Sequence, residues 1–355
     1  MSSCAIHQLV HTLTWGDAIS GEVLALQRVF REAGRTSGIY AINVDPRLKQ
    51  QACDYRTLPH DFPGEVLLHY SLGSPLNELY ENLHAATRTL IYHNLTPARW
   101  FSGVNPRVAA DIERGVKELP RLCALSARLV ADSQFNAGQL AGLGFRAEIL
   151  ELPIDPGKWE VAANAGIAAL LKNDPALHML HVGRLAPNKC IEDIIRIFHF
   201  LHTYINQRSR LWLVGLDIDT ELYSFALKRL VRELDIVDAV HFTGRMADSE
   251  VRALYENASV YVCMSEHEGF CLPVVEAMYF GLPVVAYASS ALPDTVRRAG
   301  ALVAEKKHPQ IAELAQEIYS NAEFRDRLVR AGHERAAELS FDNFRQRALG
   351  VFCGA

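Results

Sequence analysis

The stretch SEHEGFCLPVVEAMYFGLPVV, residues 265–285, decides the fold class. Its apolar residues suit a buried strand–helix–strand unit, flanked by the β-rich runs SVYVCMS (259–265) and PVVAYA (283–288). Gly269 lets the backbone turn sharply or approach another group closely. Pro273 suits the first position of a helix, since it has no N–H to satisfy. The spacing therefore predicts a helix from about Pro273 that carries Glu276 in its first turn. Two strands joined by so short a helix run parallel, and their crossover is right-handed. Glu268 and Glu276 then need an explanation, because an unpaired buried charge is expensive.

The same alternation extends both ways. Upstream in the second half, HMLHVGRL (178–185), LWLVGL (211–216) and AVHFTG (239–244) read as strands. KCIEDIIRIFHFLHTYI, TELYSFALKRLVRELD and SEVRALYENA read as the helices between them. The first half repeats the plan. Its strands are AIHQLVHTL (5–13), GIYAINV (38–44), EVLLHYSL (65–72), TLIYHN (89–94), RLVADS (128–133) and AEILEL (147–152). GEVLALQRVFREAG (21–34) and QFNAGQLAGLG (134–144) read as helices. ELPIDPGKW (151–159) has two prolines and a glycine without periodicity, and reads as a linker. Segments 309–339 and 341–352 read as helical, with a break near LSFD (339–342). The fold class is α/β. Two doubly wound Rossmann-like domains with parallel sheets are expected, 1–158 and 159–340, with helix 341–355 packing back on the first.

A length of 355 residues is comfortable for two domains. The hydrophobic fraction of 49%, the charged fraction of 22% and the net charge of −5 are those of a soluble globular protein, and argue against a nucleic-acid partner. No apolar run reaches the roughly 20 residues that cross a bilayer. The N-terminal stretch MSSCAIHQLVHTLTW lacks a charged leader followed by a clean apolar segment, which argues against a secretory signal. Cysteines 4, 53, 123, 190, 263, 271 and 353 are odd in number, scattered and without a CxxC pair. They read as reduced, mostly buried thiols of a cytoplasmic protein, with no support for a structural zinc site.

Parallel open sheets bind ligands at the carboxyl ends of their strands. In HVGRLAPNK, Gly183 and Arg184 end a strand and Lys189 stands near the next helix start. Two cations and helix amides suit a diphosphate. The plainer alternative pairs Arg184 with a core carboxylate and leaves Lys189 solvated. Glu268 lies in a loop after a strand and Glu276 near a helix start, so hydroxyls at either end of an anion could be held by carboxylates. The plainer alternative makes Glu276 a helix-dipole partner and Glu268 a solvated loop residue.

GRLAPNK followed by EHEGFCLPVVEAMYFGLPVVA, with the C-terminal LSFDNF, resembles the retaining GT-B glycosyltransferases of the family often called GT4. The resemblance is strong over 178–300 and legible in GDAISGEVLALQRVFREAG, LIYHN, ADSQFN and LPID of the first half. It implies a GT-B fold whose two sheets face a central cleft. It also implies that Arg184 and Lys189 bind the donor diphosphate and that Glu268 contacts sugar hydroxyls. Gly183 and Gly269 belong to the donor loops, with the amides of Phe270, Cys271 and Leu272 at the sugar–phosphate bend. Glu276 accepts from the ribose. His93 sits under the donor sugar, and Gly16, in WGDAIS, closes over phosphate or acceptor. One departure stands out: Cys271 occupies a place where the family usually has glycine. No activating partner for a nucleophilic Cys271 is visible in the sequence.

The implied function is transfer of a hexosyl group, with retention, from a nucleotide sugar to a hydroxyl of a glycan or glycolipid acceptor. GDP-mannose is the leading donor, from the look of GDAIS…HYSLGSP…IYHN, with UDP-sugars next. A sugar-nucleotide epimerase and a non-catalytic sugar-nucleotide-binding subunit are the competing classes. Closure of the domains about residues 151–159 would exclude water. Asp217 and Asp219 in GLDIDTE have an Asp-x-Asp spacing, but read as a loop with a helix N-cap, so no metal or other cofactor is expected. Residues 98–122 interleave Arg99, Arg107, Arg114, Lys117 and Arg121 with acids, which reads as a solvated helix. Peripheral contact with the inner face of the membrane stays open.

Overall fold

A computed structural model describes residues 5–155 and 157–354. Cys4 and the start of the N-terminal stretch, Pro156 of the expected linker, and Ala355 lie outside the described residues. The chain divides into two compact units. One comprises Met1–Arg99, Arg107–Asp155 and Leu339–Ala355, the other Trp100–Pro106 and Pro156–Glu338. That the short run Trp100–Pro106 groups with the second unit was not legible in the sequence.

In the first unit, β1 (Ile6–Leu13) leads to α1 (Ala18–Glu32), β2 (Ile39–Val44), β3 (Ala52–Asp54), β4 (Glu65–Tyr70) and α2 (Pro75–Asn82). Then follow β5 (Thr87–Tyr92), α3 (Pro106–Leu125), β6 (Arg128–Ala131), α4 (Gln134–Gly142) and β7 (Glu148–Ile149). The strands form one sheet in the order β3-β2-β1-β4-β5-β6-β7, all pairs parallel. Every residue of β4 is buried, as a strand covered on both faces requires. The short edge strand β3 carries no alternation that a sequence reading could detect. α1 begins three residues before the expected start, because the Asp17 side chain caps it by accepting from Ser20 N at 2.9 Å. WGDAIS is therefore partly a helical turn rather than a free loop.

In the second unit, α5 (Ala165–Asn173) precedes β8 (Leu177–Val182), α6 (Ile191–Phe200), β9 (Ser209–Val214), α7 (Glu221–Glu233), β10 (Val240–Gly244) and α8 (Asp248–Asn257). β11 (Val260–Cys263), α9 (Leu272–Tyr279), β12 (Val284–Tyr287), α10 (Leu292–Val296), β13 (Ala301–Val303), α11 (His308–Ser320) and α12 (Ala322–Glu338) complete it. Its all-parallel sheet runs β10-β9-β8-β11-β12-β13. Strand order reverses direction between β8 and β11, the switch point at which doubly wound sheets bind ligands. The last helix, α13 (Phe341–Cys353), belongs to the first unit, where Phe341, Phe344, Ala348 and Phe352 pack with Ile6, Leu26 and Phe30.

Candidate functional site

The loops after β8 and β11 flank the switch point of the second sheet. After β8 come Gly183 and the exposed Arg184, whose guanidinium carbon lies 5.8 Å from the Phe101 ring centre. Pro187–Lys189 then form a 3₁₀ turn before α6. The two loops are joined directly. Asn188 Nδ2 donates to the His267 carbonyl at 2.9 Å, and Glu266 N donates to the Asn188 carbonyl at 2.9 Å. A third loop approaches from β9. There a Cβ on Gly215 would fall 1.9 Å from the Gly183 carbonyl oxygen, so only glycine fits.

This framework puts Lys189 Nζ 2.6 Å from each oxygen of Glu268. The plainer reading of both residues, as solvated groups, is therefore wrong: Glu268 is 7% exposed and fully paired. Burial alone would favour the neutral forms. The opposite charge outweighs it, holding Lys189 above and Glu268 below its ordinary pKa. The Glu268 backbone N–H is also held, donating to Ser290 Oγ at 2.8 Å.

Glu276 is the fifth residue of α9 rather than part of its first turn, because the helix starts at Leu272. It is 4% exposed and has two partners that the sequence reading missed. Lys158 Nζ lies 2.6 Å from Oε1, and Tyr255 Oη donates to Oε2 at 3.1 Å. Lys158 also sits 4.4 Å from the Trp159 ring centre. Lys158 fell in the stretch read as linker, so its charge carried no signal there. Cys271 caps α9 in the left-handed region at φ 76°, and Phe270, beside it, is buried with its carbonyl accepting from Thr295 Oγ1 at 2.6 Å. Gly269 is half-buried, as is Leu272. The Cys271 thiol lies 3.9 Å from that of Cys263. All six described cysteines are free, and four of them are buried.

In the first domain, Gly16 has φ 84° and open space where a Cβ would stand. His93 follows β5 and is buried among polar groups at the carboxyl edge of three adjacent strands. His69 comes from β4 and Asp132 follows β6, while Glu22 comes from α1. His93 Nδ1 lies 3.3 Å from Asp132 Oδ2, and His93 Nε2 lies 2.9 Å from His69 Nδ1. Gln8 orients the set. Its Nε2 donates to the Val23 carbonyl, so its Oε1 accepts from His69 Nε2 at 2.9 Å. His69 Nδ1 is then an acceptor, and His93 Nε2 donates to it. Both ring nitrogens of His93 are thus engaged inside the first domain, and neither is left for a sugar hydroxyl in this arrangement. Burial works against charge on His93, but Glu22 and Asp132 outweigh it and raise its pKa. Burial is also the main cause that lifts Glu22 to about 7.

Asp217 and Asp219 lie in the loop between β9 and α7, and the N-cap of α7 is Thr220. Neither aspartate belongs to the groups of metal-ligating side chains that come together among the described residues. α3 buries Ala109, Ile112, Gly115, Leu119 and Leu122 on one face. Among its basic residues, Arg114 donates to the Gly73 carbonyl at 2.6 Å and Arg121 pairs with Glu81 at 2.5 Å. Among the described residues, no helix is long and apolar enough to cross a membrane.

Residues 165–335 match the family described as glycosyl transferases group 1. The chain is 32% identical over 161 residues to the MMP alpha-(1->4)-mannosyltransferase of Mycolicibacterium hassiacum, a match covering 44% of this chain and 36% of that protein. It is 28% identical over 214 residues to the GDP-mannose:cellobiosyl-diphosphopolyprenol alpha-mannosyltransferase of Xanthomonas oryzae pv. oryzae, covering 58% and 52% respectively. The chain thus spans about a third to a half of the length of these curated relatives. In three dimensions it is similar to Anabaena HepE in complex with UDP-glucose, with a TM-score of 0.78 at 16% identity over 99% of this chain and 100% of that one. At that identity the likeness establishes the fold. Residues 165–335 therefore form a glycosyl transferases group 1 domain, carried by a chain with the GT-B fold of two all-parallel Rossmann-like domains.

Proposed function

We propose that this protein is a retaining glycosyltransferase of the GT4 type that moves a mannosyl group from GDP-mannose to an acceptor hydroxyl in polysaccharide or glycolipid synthesis. The observation that carries the reading is the Lys189–Glu268 pair at the switch point, inside the segment that matches the family. Of the curated relatives that match, the two described above are named as mannosyltransferases, one of them for GDP-mannose, which favours that donor over UDP-sugars, while others are named as D-inositol 3-phosphate glycosyltransferases.

In this reading the donor diphosphate lies over the loops after β8 and β11. Arg184 and Lys189 neutralise the leaving phosphate, and the amides at the start of α9 add partial positive charge. Lys189 then shares its charge between phosphate and Glu268, which contacts the sugar hydroxyls. Glu276, fixed by Lys158 and Tyr255, accepts from the ribose. Glu268 is a poor nucleophile while both its oxygens face one ammonium. That favours front-side attack, in which the acceptor hydroxyl gives its proton to the departing phosphate oxygen as the new glycosidic bond forms. No metal is assigned to the diphosphate. The chain works at the cytoplasmic side, and the acceptor belongs to the first domain.

A thermal-shift screen of GDP-mannose, UDP-glucose and related donors tests the reading. A donor at about 100 times its Kd adds roughly 2.7 kcal/mol of stability. Stabilisation by GDP-mannose above UDP-sugars, followed by acceptor-dependent release of GDP, is the expected result. Preference for a UDP-sugar would move the donor assignment. Isomerised sugar with donor alone would make the protein an epimerase, and binding without nucleotide release under any acceptor would make it a binding subunit.

A further inference from the structure

Cys263 ends β11 and Cys271 caps α9, and the proposed transfer uses neither thiol. Both are free and buried, with their sulfurs 3.9 Å apart. Cys271 stands at φ 76°, in the left-handed region that glycine enters freely and a residue with a Cβ does not. The family that this stretch resembles usually has glycine there. The chain thus holds a thiol in a strained place, facing a second thiol. Both sulfurs and a Glu268 oxygen lie within 4.8 Å of one another. Backbone strain of this kind collects at functional sites.

We propose that Cys263 and Cys271 form a redox modification site, a thiol pair that hydrogen peroxide converts into a disulfide beside Glu268. The hydrogen bond from Cys271 holds the Cys263 pKa below its ordinary value and raises that of Cys271, so Cys263 supplies the thiolate. The thiolate attacks one peroxide oxygen, the O–O bond breaks, and the hydroxide takes up the thiol proton as water. The Cys271 sulfur then attacks the sulfenic sulfur, the S–O bond breaks, and the hydroxyl leaves with the Cys271 proton as the second water. Two thiols are oxidised and one peroxide is reduced. The sulfurs must close from 3.9 Å to about 2.05 Å, and the intervening residues 264–270 include Gly269, which can absorb the turn.

The disulfide reaches the donor loops through Glu268. Burial pushes the Glu268 pKa up, Lys189 outweighs it, and Ser265 and Cys271 add hydrogen bonds to the carboxylate. A disulfide has no thiol proton, so Glu268 loses the Cys271 hydrogen bond as the N-cap of α9 is drawn toward β11. Donor binding should weaken about 10-fold, the order expected for one hydrogen bond to a charged group. This consequence rests on the donor reading, whereas the disulfide does not.

The test treats full-length protein with hydrogen peroxide, removes the peroxide by gel filtration, and then denatures, alkylates with iodoacetamide and digests with trypsin. No Lys or Arg lies between Arg252 and Arg297, so Cys263 and Cys271 fall in one peptide with no other cysteine. Tandem mass spectra should show the two joined and neither alkylated after peroxide, and both alkylated once dithiothreitol is added. Thermal shifts with GDP-mannose and with UDP-glucose, before and after peroxide, read the link to Glu268. The shift should fall in the oxidised protein, return with dithiothreitol, and be insensitive to peroxide in Cys263→Ser. Should Cys263→Ser fail to fold, Cys271→Gly is the second variant, since φ 76° suits glycine. Both cysteines still alkylated after peroxide, or oxidation that dithiothreitol does not reverse, would overturn the modification site. Equal shifts for oxidised and reduced protein would overturn its link to Glu268. A reduced protein that neither sugar stabilises overturns the donor reading and the consequence built on it, while the disulfide stands or falls on the peptide alone.

Discussion

Lys189 Nζ stands 2.6 Å from both carboxylate oxygens of Glu268, across the point where the strand order of the second sheet reverses. The pair is mostly buried, so each charge depends on the other. Removing one partner strands the other in a low-dielectric setting. Lys189→Met and Glu268→Gln should each lower stability by about 3 kcal/mol, and the double variant by less than their sum. Urea unfolding of the four proteins checks this. Single variants as stable as the parent would show that the pair is effectively solvated.

Tyr255 donates to Glu276, a charged acceptor in a buried place. Hydrogen bonds to charged groups contribute about 1.5–3 kcal/mol, so Tyr255→Phe should lose roughly 2 kcal/mol. Tyr319 Oη donates to the Pro175 carbonyl at an exposed position, and Tyr319→Phe should cost much less. Equal losses in thermal denaturation would remove the special place given to Tyr255.

His181 donates from Nδ1 to the Val262 carbonyl, and burial depresses its pKa to about 4. In the unfolded chain the ordinary value near 6.5 applies. Above pH 6.5 both states are neutral and stability does not respond to this group. Between about pH 6.5 and 4 only the unfolded state takes the proton, so stability falls as pH falls, by about 3 kcal/mol in total. His181→Asn should flatten that part of the pH–stability curve. An unchanged slope would remove His181 as its cause.

Gly215 has no room for a side chain, since its Cβ would meet the Gly183 carbonyl oxygen. Gly215→Ala must push apart the loops after β8 and β9, including the backbone beside Arg184. A loss of about 3 kcal/mol is expected, together with weaker stabilisation by added donor. A variant with parental Tm and an unaltered response to donor would show that the loops yield freely.

The sequence alone determined the alternation of strands and helices, the all-parallel sheets and the placing of Glu268, Arg184 and Lys189 in loops that follow strands. Those features depend on periodicity and turn chemistry, which are local. β3 and β13 were missed because three residues are too few to show a period. Tertiary structure decided the partnerships. Glu268 meets Lys189 from 79 residues away and Glu276 meets Lys158 from 118 away, in pairings set by which strands become neighbours. Glu22, His69, His93 and Asp132 likewise meet because β1, β4, β5 and β6 lie side by side. A charge in a sequence has no evident counter-ion until the sheet order is known, and the cost of burying it unpaired is what makes that order matter.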